Sequence, residues 1–85
     1  MPDVQVYLTT RCPFCIAARE LLDARGIDYE PIVLDDHPDR RAFTAGLLRG
    51  HRTVPLIVID GQPIGGYREL LELDRSGGLA RRRPQ

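Results

Sequence analysis

The two cysteines of this 85-residue chain stand together, as Cys12-Pro13-Phe14-Cys15. That limits what can hold the chain folded. A disulfide-stapled mini-protein uses several bridges, and closing so short a loop removes little chain entropy. Stability must come from a packed core, and 42% apolar residues supply one for a single small domain. The pair itself admits three readings: a redox dithiol, half of a zinc site, or an accident of sequence. Zinc needs two more ligands. The nitrogen donors on offer are His37 and His51, whose spacing from Cys15 matches no compact finger. The redox reading leads.

Charge and hydropathy narrow the partners. Twelve basic residues balance twelve acidic ones, whereas a nucleic-acid-binding domain usually carries a basic excess. No run approaches the ~18 apolar residues of a membrane span, and no secretory signal opens the chain. The expectation is a soluble cytoplasmic protein with neither nucleic acid nor membrane as partner. All twelve bases are Arg, so a cationic ligand contact must use a guanidinium, whose planar fork grips carboxylates at two points.

Along the chain, residues 3–8 alternate and then turn apolar, which reads as a strand. Thr9, Thr10 and Arg11 form a loop, and Pro13 suits the first position of a helix. That helix runs to Arg25 before Gly26, with Phe14, Ala17, Ala18, Leu21, Leu22 and Ala24 on one stripe. Residues 29–34 form an edge strand, because Pro31 cannot donate to a ladder. A helix entry at Asp35–Pro38, His37 included, leads to a second helix over 39–49. Phe43, Leu47 and Leu48 form its apolar side. Pro55–Asp60 is the most apolar strand and reads as central. Asp60-Gly61 signals a hairpin into a short strand at 62–64. Residues 67–75 make a third helix, His51 reads as an exposed loop residue, and 81–85 is a disordered basic tail after a domain over 1–80. The order βαβαββα predicts an α/β fold: a four-stranded mixed sheet flanked by three helices, the first two strands parallel through a right-handed crossover. The cysteines then fall after the first strand at a helix N-terminus, where α/β sheets carry their chemistry.

At this point the chain resembles the glutaredoxins, of the thioredoxin-like fold, over about residues 3–79. Cys12-Pro13-Phe14-Cys15 is similar to the family's dithiol motif. Thr53-Val54-Pro55 is similar to the loop whose proline is cis, and Ile64-Gly65-Gly66 to the double glycine before the last helix. The resemblance implies glutathione-dependent reduction of protein disulfides and glutathionylated thiols, with glutathione as co-substrate and no metal or nucleotide. It implies Cys12 as nucleophile, its thiolate favoured by the helix N-terminus, and Cys15 as resolving thiol. Phe14 would wall the glutathione groove, and Arg11 would add positive charge beside Cys12. Thr53, Val54 and Pro55 would border the groove, Val54 pairing with glutathione as a short added strand. Gly66 would let the Tyr67 and Arg68 amides reach the γ-glutamyl carboxylate, and Glu69 would take the γ-glutamyl ammonium.

The sequence also departs from the family. Many glutaredoxins have an acidic residue where Arg68 stands and a Lys where Thr9 stands, so Arg11, Arg40 or Arg41 would have to take the glycine carboxylate of glutathione. Gly66-Tyr67-Arg68 also resembles the Gly-Phe-Arg of redoxins that feed ribonucleotide reductase and are reduced by thioredoxin reductase. That is the alternative reading. From another class stands an iron–sulfur cluster carrier, against which Pro13 argues, since cluster-binding relatives usually have Gly or Ser there. The expected partners are glutathione and disulfide-containing or glutathionylated proteins, ribonucleotide reductase among them in the alternative, approached by a monomer.

Overall fold

The computed structural model describes residues 3–51 and 53–79. Its elements are β1 (Val4–Leu8), α1 (Pro13–Ala24), β2 (Glu30–Val33), α2 (Arg40–Leu47), β3 (Leu56–Ile59), β4 (Gln62–Gly65) and α3 (Tyr67–Arg75). The strands lie in the order β2-β1-β3-β4. β1 runs parallel to β2 and antiparallel to β3, and β3 runs antiparallel to β4. Three helices and a four-stranded mixed sheet are thus the expected architecture. β2, with Pro31, is an edge strand, and β3 lies inside the sheet. The basic tail expected at 81–85 lies outside the described residues.

The alternation in β1 sets the layers. Val4, Val6 and Leu8 are buried and join Cys15, Ala18 and Leu22 of α1, Ile57 and Ile59 of β3, Leu70 of α3 and Leu79 in one core. Tyr7 points to the other face, where its ring meets Phe43 of α2 at 5.5 Å between centroids. With helices on both sides, β3 is buried at every position, which is why it reads as an unbroken apolar run. Among the described residues, no helix is long and apolar enough to cross a membrane.

The ends of α1 and of the β3–β4 hairpin follow local chemistry. After α1, the Gly26 N–H donates to Asp23 O and the Ile27 N–H to Leu22 O, the paired bonds of a Schellman ending. Arg25 then grips Asp74 of α3 through Nε and Nη2, at 2.7 and 2.9 Å, holding that carboxyl below its ordinary pKa. At the hairpin, Asp60 and Gly61 both have positive φ, 53° and 78°. That is the two-residue turn that an Asp-Gly pair favours.

Three expectations need correction. The buried line of α1 is Cys15, Ala18 and Leu22, whereas Phe14 is 64% exposed and Ala24 is exposed. Phe14, Cys15 and Ile16 are all apolar, so periodicity alone could not say which of them meets the sheet. α2 stops at Leu47 rather than 49, because Leu48 is extended (φ −140°, ψ 114°). Leu47 is therefore exposed, and the buried residue of that helix is Thr44. β2 is shorter than 29–34 because its register with β1 runs from Glu30 opposite Gln5 to Val33 opposite Leu8, while Tyr29, before the strand, accepts from Arg19 Nε at 3.0 Å through its hydroxyl.

Candidate active site

Cys12 is the residue that opens α1. It has extended backbone (φ −91°, ψ 117°), with Pro13 next in the first turn, where a missing N–H costs nothing. Its sulfur accepts from the Cys15 N–H at 3.2 Å, and its thiol donates to Val54 O at 3.5 Å. An amide and the positive end of a helix both aimed at one sulfur suit a negatively charged atom. Cys12 is half-buried and reaches solvent. Cys15, one helical turn on, is buried at 1% exposure. Burial and the hydrogen bond to Cys12 push its thiol up to about 12, against the opposing effect of hydrogen bonds from Thr9. The two thiols are thus adjacent but unlike: one accessible, one buried and held protonated.

A cleft of about 630 Å³ includes Val54, whose carbonyl oxygen accepts from the Cys12 thiol. Its walls include Phe14 from α1, Thr53, Val54 and Pro55 before β3, and Gly66, Tyr67 and Arg68 at the start of α3. With Glu69, eight of the eleven residues to which the resemblance gives a role thus share one cleft, and Cys12 joins them through its contact with Val54. The Val54–Pro55 peptide is cis. The rings of Phe14 and Tyr67, which both line the cleft, have centroids 6.2 Å apart and planes tilted by 32°.

Arg11 does not line that cleft. It is exposed in a separate groove of about 500 Å³ with Thr9, Thr10, Cys12, Asp35 and Arg40. There the Thr10 hydroxyl and amide bind Asp35 at 2.6 and 3.0 Å and hold its carboxyl below the ordinary value. Arg40 and Arg41 line a further groove of about 300 Å³ with Thr44, Thr53 and Val54.

The double glycine has a specific structural reason. Gly65 has φ +124°, and a Cβ there would lie 2.5 Å from Glu69 Oε1. That oxygen accepts the Gly66 N–H at 2.8 Å, satisfying one of the amide donors at the helix start. Gly65→Ala is therefore expected to cost about 1–3 kcal/mol, from forced backbone and loss of this cap. Urea denaturation of the two proteins checks it, and an unchanged midpoint would contradict it.

Sequence reasoning missed some of the cleft. Leu71, Glu72 and Arg75 line it from α3, and spacing on that helix would have shown them beside Arg68. His51, expected as an exposed loop residue, is instead half-buried against the cleft. His37 does mark the entry to α2, its Nδ1 accepting the Asp39 N–H at 3.1 Å. Among the described residues, no group of three or more His, Cys, Asp or Glu is clustered to hold a metal ion.

Known proteins are similar to this chain in sequence and in fold. The glutaredoxin family model matches residues 4–64. A glutaredoxin of Pseudomonas aeruginosa is 42% identical over 79 residues, 93% of each chain. Glutaredoxin 3 of Escherichia coli is 37% identical over 79 residues, 93% of this chain and 94% of its own. Among solved structures, a buckwheat glutaredoxin in complex with glutathione superposes with a TM-score of 0.82 at 36% identity, over 94% of this chain and 74% of its own. A dithiolic glutaredoxin of Trypanosoma brucei brucei gives 0.81 at 33%, over 95% of this chain and 86% of that one. A family match across most of the chain, with a Cys-Pro-Phe-Cys pair opening a helix beside a cis-proline turn, leaves one conclusion: this protein belongs to the glutaredoxin family of thiol–disulfide oxidoreductases.

Proposed function

We propose that this glutaredoxin takes its electrons from glutathione, with Cys12 as nucleophile and Cys15 as resolving thiol. The observation that carries the reading is the cleft that opens beside Cys12 and ends at the start of α3. An extended tripeptide joined to Cys12 through its sulfur could run along that cleft and pair its main chain with Val54. Its γ-glutamyl carboxylate would then meet the Tyr67 and Arg68 N–H groups, which have no acceptor within the helix. The ammonium would meet Glu69, of which one oxygen is already taken by Gly66. Arg40 and Arg41, in the groove that shares Thr53 and Val54, are the cations for the glycine carboxylate. They replace the Lys that Thr9 displaces, and Arg40 also borders the groove that holds Thr9, Arg11 and Cys12.

With a glutathionylated thiol, the Cys12 thiolate attacks the glutathione sulfur. A Cys12–glutathione disulfide forms, and the substrate leaves as its thiolate, which takes up a proton. A second glutathione thiolate attacks that disulfide, releasing oxidised glutathione and restoring Cys12. With a protein disulfide, Cys12 forms a mixed disulfide with one substrate sulfur. Cys15 then loses its proton and displaces that sulfur, leaving a Cys12–Cys15 disulfide and a reduced substrate. Two glutathiones return the dithiol, ending as one oxidised glutathione. The protein acts as a monomer in the reducing cytoplasm, where an unpaired dithiol persists.

The test is to offer the oxidised protein glutathione, and separately thioredoxin reductase with NADPH. Rapid reduction by glutathione, with turnover of a glutathione mixed disulfide, is the expected result. Reduction by the reductase alone would overturn the reading. Gly66-Tyr67-Arg68 would then mark a hydrogen donor of the kind that serves ribonucleotide reductase.

A further inference from the structure

We propose that His51 is a positioning residue for the reaction at Cys12, its imidazole acting as a strut between the Val54–Pro55 turn and the start of α3. His51 Nε2 lies 3.2 Å from Pro55 O. On the other side, its Cε1 lies 3.5 Å from the point where a Cβ on Gly66 would stand, and Pro55 O lies 3.4 Å from the same point. One ring therefore stands beside both main-chain walls of the cleft, hydrogen-bonded to the turn that faces Cys12 and next to the open face of the glycine that opens α3.

The main chain that carries the ring is itself held in place. The His51 N–H donates to Leu48 O at 2.9 Å. The Thr44 hydroxyl lies 2.9 Å from His51 O and 3.2 Å from Arg41 O. Thr44 is 1% exposed and is the buried polar residue among the described ones, so its hydroxyl ties the main chain of the histidine to α2. A carbonyl oxygen only accepts, so the nitrogen facing Pro55 must carry a proton. The chain α2–Thr44–His51–Pro55 thus orients the residue next to Val54, whose carbonyl receives the Cys12 thiol. The same ring sets how closely that turn approaches Gly66 and hence the width of the cleft.

This inference rests on the glutathione groove proposed above. The experiment measures the steady-state turnover of a glutathione mixed disulfide of a short cysteine peptide. The enzymes are the parent, His51→Leu, which fills the space without a donor, and His51→Gln, whose amide can donate. A lost hydrogen bond on one wall of the cleft predicts a KM about three- to tenfold higher in the Leu variant. Its kcat stays within about twofold of the parent, because the cysteines are untouched, and the Gln variant recovers most of the loss. A merely structural histidine would lower the melting temperature and the active fraction while leaving KM alone. A KM within about twofold of the parent in the Leu variant, or equal behaviour of the Gln and Leu variants, would overturn the proposal. Should the Leu variant not fold, nitrogen NMR of the parent decides. A neutral His51 ring with its proton on Nε2 supports the strut, and a proton on Nδ1 alone removes it. If the parent itself fails to turn over the mixed disulfide, the glutathione groove is what has failed, and the ring proton still judges the strut.

Discussion

Cys12→Ser is expected to bring both deglutathionylation and protein-disulfide reduction down to the rate seen without protein, while the fold survives. The two halves of this prediction have separate causes. Serine is among the preferred residues at a helix N-cap. It keeps an acceptor for the Cys15 N–H that now bonds the Cys12 sulfur at 3.2 Å, so circular dichroism and the melting temperature should change little. The chemistry, however, needs a thiolate. A serine hydroxyl is essentially un-ionised near neutral pH and forms no disulfide, and Cys15, buried and pushed up to about 12, cannot take over the first attack. A folded Cys12→Ser protein with parental activity would sink the assignment of the nucleophile.

How far the sequence alone reaches differs from element to element. α3 is bounded by glycine before Tyr67 and by Ser76-Gly77 after Arg75, so it is legible to the residue. The Asp60-Gly61 turn is equally plain, because few residue pairs accept positive φ twice. What stayed illegible depends on contacts between distant segments. Phe14 looked like core by its helical spacing, and only the resemblance assigned it to a groove. Its 64% exposure follows from which side of α1 meets the sheet. Leu47 looked buried because periodicity assumes a helix that continues, and α2 ends there. His51 has no local signature at all. Its neighbours are the carbonyl of Pro55 and the open face of Gly66, the second of which lies fifteen positions away and comes near only once β3 and β4 have paired.

The second large effect separates the two cysteines. Cys15→Ser is expected to keep deglutathionylation within about threefold of the parent and to lose protein-disulfide turnover, with the mixed disulfide accumulating as a product visible by mass. The reason lies in the order that burial imposes. In the free dithiol, burial raises the Cys15 thiol most, followed by its hydrogen bond to Cys12 and the repulsion of charge there. Once Cys12 is tied up in a mixed disulfide, its sulfur carries no negative charge, and the repulsion it exerts is gone. The hydrogen bonds from Thr9, which favour the Cys15 thiolate, remain. Cys15 thus becomes a nucleophile only after Cys12 has reacted, and a substrate whose release needs only glutathione never requires it. Because burial persists, Cys15 is still largely protonated at the moment of attack. Its thiolate fraction, and with it the resolving rate, should climb with pH between 7 and 9, approaching about tenfold per unit. Single-turnover measurement of mixed-disulfide decay in the parent, without added glutathione, checks the slope. A flat profile would mean that Cys15 is already ionised in the intermediate, and burial would then not be what orders the two steps.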